Sequence, residues 1–327
     1  IGQLKGLKLE LDLKSGSLKT DIKSLKKAAR QNVGPEIINR IQNIIKENDV
    51  ELKRDLKIYW NSFPIAQLVA GKDYLNPDIK LIIDDMIESN DQSDLYKYLI
   101  FWINKKINNE LTHLIELKNL ENQNPHIRAL AYRIYESNGV VKREEVKNFV
   151  NKLEQNDRKI LRSKGVKFGR YHIFLFKLFK PKAVSLRTLL WKNFNQKYMD
   201  LEPPQFGLNF INEDKKLNKD FMLMCGFEKF DSYYVRIDIL ERLFLMIIET
   251  SKKNIKEIKL VPDMLNLLGC NKEDFLKLMK KMNYTSTSKN QETYFKYNLK
   301  KKFKKIEKIK STNDDNPFNI LKEIRIK

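Results

Sequence analysis

The apolar positions of this chain fall in blocks whose spacing changes along its length. Leu4, Leu7, Leu9 and Leu11 open it in mid-pattern, and the first residue is Ile1, not Met, so the chain is expected to be a piece of a longer protein. Gly34-Pro35 followed by Ile37, Ile38, Ile41, Ile44 and Ile45 predicts an amphipathic helix with proline in its first turn. Leu56, Ile58 and Trp60 alternate before Asn61-Ser62, and Phe63 and Ile65 after it, which predicts a short hairpin, with Asp73 to Pro77 as a loop. From Ser93 or Asp94 the 3,4 spacing of Leu99, Trp102, Ile103, Ile107, Leu111, Leu114 and Ile115 predicts one long helix. Another is expected over Ile127 to Tyr135, closed by Asn138-Gly139 as a left-handed cap. Val146, Phe149, Val150, Leu153, Ile160 and Leu161 then form one apolar face with charge on the other.

The later pattern differs. After Pro203-Pro204, a short helix ends at Cys225-Gly226, Tyr233 to Ile237 reads as a strand, and Ile239 to Ile248 as a buried helix. Ile258 to Val261 reads as a strand, Pro262 opens a short helix, and Gly269-Cys270-Asn271 turns into a helix over Lys272 to Met282. A hairpin over Tyr284 to Thr287 and Thr293 to Tyr297 follows. That order is the element order of a winged helix-turn-helix, with Lys272 to Met282 in the recognition position and Lys272, Lys277, Lys280 and Lys281 toward phosphate. The expected fold is therefore mainly α with small β-hairpins, α+β in class, built of helical accessory domains of which the last is winged-helix-like. The expected divisions are a helical region with a hairpin (1–137), a basic aromatic helical segment (138–200), the winged-helix-like unit (201–298) and a basic tail with a short apolar end (299–327).

Charge changes what these elements are for. Sixty-three Lys and Arg against 42 Asp and Glu leave a net +21, a wide positive potential that points to a polyanionic partner. Only 13 of the cations are Arg, and the 50 Lys accompany many Ile and Asn; coding bias of that kind explains the lysines but not the shortage of acids. The densest stretch is GVKFGRYHIFLFKLFKPKAVSLRTLLWKNF, residues 165 to 194. There Phe168, Tyr171, His172, Phe174, Phe176, Phe179 and Trp191 interleave with cations. Aromatics can stack on bases and cations meet phosphates, although aromatics at this density more often fill a core. The nucleic-acid-binding candidates here are Lys164, Lys167, Arg170, Tyr171, His172, Lys177, Lys180, Lys182 and Arg187, joined by the four lysines of 272–281. A run of lysines from Lys296 to Lys310 adds a polyanion-seeking arm.

Catalytic patterns are missing. There is no GxxxxGK[ST] and no DExH or DExD box, and three histidines (His113, His126, His172) offer neither a nucleophile elbow nor a ligand spacing from Cys225 or Cys270. The expectation is a chain with no catalytic site, no metal and no cofactor of its own. The cysteines, 45 positions apart, suggest a reducing cytoplasm, and no apolar run approaches a bilayer crossing.

Several motifs together carry a resemblance. GVKFGRYHIF, KLFKP, LRTLLW, VRIDILERL and PDMLNLLGCNKEDFLKLMKKMNY, with FPIAQLVAG and Leu75-Asn76-Pro77 upstream and Asn316-Pro317-Phe318 at the end, resemble the C-terminal region of a bacterial family of superfamily 2 helicase-related proteins similar to the mitochondrial degradosome RNA helicase. The resemblance implies an ATP-driven RNA or DNA remodelling enzyme whose motor domains precede Ile1, with ATP and Mg expected only there. Its partners would be single-stranded RNA or DNA, those upstream motor domains, and a nuclease. The competing expectation is a protein-interaction scaffold docking the motor or a nuclease, and a free-standing DNA-binding regulator ranks third.

Overall fold

Strict alternation produces the first sheet. In β4 (Lys57–Trp60) Ile58 and Trp60 point inward while Lys57 and Tyr59 stay half-exposed. Asn61 and Ser62 both take positive φ, the turn geometry whose twist suits a two-residue hairpin, and the chain returns as β5 (Phe63–Asp73). The expected loop at 73–77 is a tight turn into β6 (Asn76–Leu81), where the Asp73 carboxylate accepts from the Leu75 and Asn76 amides at 2.8 and 2.9 Å. With β3 (Glu51–Leu52) these strands form an antiparallel sheet in the order β3-β4-β5-β6. The computed structural model describes residues 2–11, 22–84, 89–120, 124–212, 217–230, 232–251, 257–289 and 291–298; the basic tail at 299–327 lies outside them.

Before this sheet come a hairpin, β1 (Gly2–Lys5) with β2 (Lys8–Leu11), and α1 (Ile22–Glu47), which runs through Pro35 instead of starting there. The predicted long helix is α2 (Ser89–Glu110); it breaks at Leu111 into α3 (Thr112–Lys118), and its apolar stripe Leu95, Leu99, Ile103 and Ile107 is buried. In α4 (Pro125–Glu136) the Asn124 side chain caps the first turn, and Asn138 and Gly139 close the other end with positive φ. The apolar face read over 146–161 is two helices, α5 (Lys147–Asn151) and α6 (Gln155–Ser163), because Glu154 and Asp157 form a capping box between them.

A second sheet, order β7-β9-β8, combines β7 (Val140–Lys142), β8 (Val166–Phe168) and β9 (His172–Leu175), followed by a 3-10 turn and α7 (Pro181–Phe194). A third, order β10-β12-β11, uses β10 (Phe210–Asn212), β11 (Phe227–Phe230) and β12 (Tyr233–Arg236), with α8 (Lys219–Met224) between the first two. The last elements are α9 (Ile237–Ser251), β13 (Ile258–Lys259), α10 (Pro262–Leu268), α11 (Lys272–Lys281), β14 (Tyr284–Lys289) and β15 (Glu292–Tyr297), the strands ordered β13-β15-β14.

The expected class is thereby corrected. The described residues are about 50% helix and 26% strand in five small sheets, a mixed α+β arrangement and not a mainly helical one. The helical expectation failed over 165–175 because all four residues of β9 are buried, so no alternation betrays the strand. A winged-helix ending is not shown either. The element order is present, but order alone is common to many helix-and-sheet units. The leading turn of α11, which that reading sends toward DNA, carries Glu273 and Asp274.

One buried cluster contains residues from Leu7 to Leu190 and packs the first sheet against α1, α2 and α7. A second runs from Tyr233 to Phe295. Between them Val184 of α7 packs with Phe221, Met224 and Tyr234, and Val140 and Phe174 pack with Ile237. No described helix is long and apolar enough to cross a membrane.

Candidate nucleic-acid interface

The motif Gly169-Arg170-Tyr171-His172 makes the turn between β8 and β9, and that turn is already occupied. Three successive amides point at one carboxylate, Glu241 of α9: those of Tyr171 and His172 donate at 2.9 and 2.8 Å, and that of Arg170 also donates. Such a nest of N–H groups is an anion site. Gly169 is required because a Cβ there would collide with the Glu241 carboxylate. Arg143 holds the other side by donating to the Gly169 carbonyl at 2.6 Å.

His172 is buried with its ring between two acids, Nε2 at 3.4 Å from Glu228 and Nδ1 at 3.4 Å from Glu241. Burial opposes its protonation, but the two carboxylates prevail and raise its pKa. Glu228 likewise resists burial through His172 and through Lys142 at 2.6 Å, which together hold it below the usual carboxylate range. Tyr171 packs its ring on Phe244 at 4.4 Å. Phe174 stacks on Phe179 and Trp191 on Tyr198, so these aromatics are packing groups.

Arg187 has 0% exposure. Its guanidinium donates to the Asn138 carbonyl at 2.7 Å, to that of Leu178 at 3.2 Å and to that of Met224, and burial pulls its pKa down to about 10. His172 and Arg187 are therefore withdrawn from the expected contact set: both are committed inside the protein. Lys164 is half-buried, 3.8 Å from Glu116. Lys167, Arg170, Lys177, Lys180 and Lys182 have exposed side chains and form no ion pair among the described residues. On α11, Lys272, Lys280 and Lys281 are exposed, and Lys277 lies 3.3 Å from Asp274.

The structure adds a groove that no local pattern announces. Its volume is about 910 Å³, and it lies between the turn after β3, the end of α2, the outer face of α7 and residues 202–206. Lys53, Arg54, Lys106 and Lys182 line it, and Phe206, 52% exposed, closes one side. The buried Lys192 fixes that side by donating to the carbonyls of Met199 and Leu201 and to Glu202 at 3.1 Å, which neutralises one of the groove's acids; Glu110 is the other. A smaller hollow of about 260 Å³ over Trp102 shares Lys106 and Glu110 with the groove.

Among the described residues no group of three or more His, Cys, Asp or Glu is placed to hold a metal ion. Compared with known proteins, the chain matches no family model, no curated protein and no solved structure.

Proposed function

We propose that this chain is a nucleic-acid-contacting accessory module of an ATP-dependent helicase, holding the phosphates of single-stranded RNA or DNA and extending the strand path of motor domains carried elsewhere. One observation carries the reading. Between 167 and 182 the apolar side chains are turned mostly inward while five cations face water without a carboxylate partner. Uncompensated like charges repel one another and together set up a positive potential that attracts a polyanion. The helicase context rests on the resemblance of the motifs.

Titration of a labelled single strand into the protein at increasing salt tests this. Each phosphate neutralised contributes a slope of about −0.7 in log affinity against log salt. Charge reversal of Lys167, Arg170 and Lys177 is expected to flatten that slope by about 2. Undetectable binding at low salt sinks the proposal.

The scaffold alternative has its own support. Leu245, 61% exposed, and Ile248 lie one turn apart on α9 and form an apolar edge suited to a protein partner. Association through that edge would persist or strengthen at high salt, where phosphate binding fades.

A further inference from the structure

We infer that the groove between α2, α7 and residues 202–206 is a binding site for a single nucleic-acid strand, taking phosphates on Lys53, Arg54, Lys106 and Lys182 and stacking a base on Phe206. The inference rests on the nucleic-acid reading above but places the strand in a groove that shares only Lys182 with the five exposed cations of 167–182.

Three features select this ligand class. Arg54 and Lys182 have no ion-pair partner among the described residues, Lys106 sits over the Trp102 ring at 5.5 Å, and Lys53 has a loose pairing with Glu51 at 3.9 Å and lies over the Tyr59 ring at 4.3 Å. Cations so weakly engaged are available to phosphate at little cost. The groove is also open to solvent, and its cations come from three separate elements, a spread that suits a linear polyanion. Lastly, Phe206 is exposed at the groove beside Pro203 and Pro204, shortly after the Glu202 that the buried Lys192 holds, so its ring is not folded into a core. An exposed aromatic beside weakly engaged cations is the arrangement that separates single strands, whose bases are free to stack, from duplexes, whose bases are not.

The test uses the whole chain, a fluorescent 12-nucleotide poly-dT or poly-rU strand, a hairpin duplex of equal charge, an abasic strand and polyglutamate. The groove predicts that the single strands bind at least tenfold more tightly than the duplex, the abasic strand or polyglutamate. Phe206→Ala should weaken single-strand binding on the order of tenfold while leaving the abasic strand unchanged. Arg54→Glu with Lys182→Glu should reduce the salt slope by about 1.4, at two phosphates. Binding of single strands should also quench Trp102, with Trp102→Phe removing that signal. If the wild-type protein binds but Phe206→Ala and the double reversal bind like it, the groove is not the site and only this inference falls. Equal binding of polyglutamate or the abasic strand also overturns it. If the wild-type protein binds no nucleic acid at low salt, both readings fall together.

Discussion

Two cationic regions of this molecule invite comparison: the turn at Gly169–His172 and the groove beside Phe206. The turn has the richer local sequence, with glycine, arginine, tyrosine and histidine in a row, yet its amides bind Glu241 and its imidazole sits between Glu228 and Glu241. The groove draws on Lys53, Arg54, Lys106, Lys182 and Phe206, spread over some 150 positions, and leaves Arg54 and Lys182 unpaired among the described residues. Functional residue types concentrated in one segment are thus no guide to a surface, because a segment so rich in hydrogen-bonding and apolar groups can satisfy itself internally. Availability has to be read group by group: the turn's amides and imidazole are engaged, while its Arg170 side chain stays exposed.

The difference can be broken or sharpened by substitution. The largest effect is expected at Arg187. Arg187→Met removes the donors to three buried carbonyls and should cost about 3 kcal/mol of unfolding free energy, read from urea denaturation. A loss below about 1 kcal/mol would mean that the guanidinium is not committed inside, and would return Arg187 to the surface candidates.

His172 comes next and carries a pH signature. Its folded pKa is raised above 6.5, so its contribution is complete below about 6.5 and is lost as pH rises through the folded value. Glu228 is shifted the other way, below 4.5, so its contribution is present above 4.5 and lost as pH falls through the folded value. Stability should therefore peak in mildly acidic solution. His172→Gln should lower it by about 2 kcal/mol there and flatten the decline above about pH 6.5, measured as urea midpoints across pH. An unchanged profile in the variant would show that the imidazole is not held charged between its acids.

The smallest effect is expected in the groove. Arg54→Glu with Lys182→Glu should leave the unfolding free energy within about 0.5 kcal/mol of wild type, since neither side chain has a partner to lose. A loss of several kcal/mol would erase the contrast between the two regions.

Local chemistry in the sequence foretold a good part of the fold. Asn138-Gly139 ends α4, Gly269 ends α10 with φ +70°, and the alternation around Asn61-Ser62 gives the β4-β5 hairpin. The failures have physical causes. β9 is buried on both faces, so its residues read as an undifferentiated apolar run; the capping box of α6 lies hidden inside a continuous amphipathic pattern. Among the site residues, the free lysines of 167–182 were legible as cations. Nothing in the composition marked Arg187 or His172 as interior, since burial of a charge depends on partners contributed from distant segments: Met224, Glu228 and Glu241. The groove was invisible for the same reason.

The bond from Arg187 to the Met224 carbonyl spans 37 residues, and it has a consequence for how the chain is made. As the polypeptide emerges during synthesis, α7 is complete before its third acceptor exists, so the guanidinium cannot give up its water on final terms until α8 has followed. Truncation between residues 195 and 217 should therefore leave the guanidinium with water in place of one of its three carbonyls.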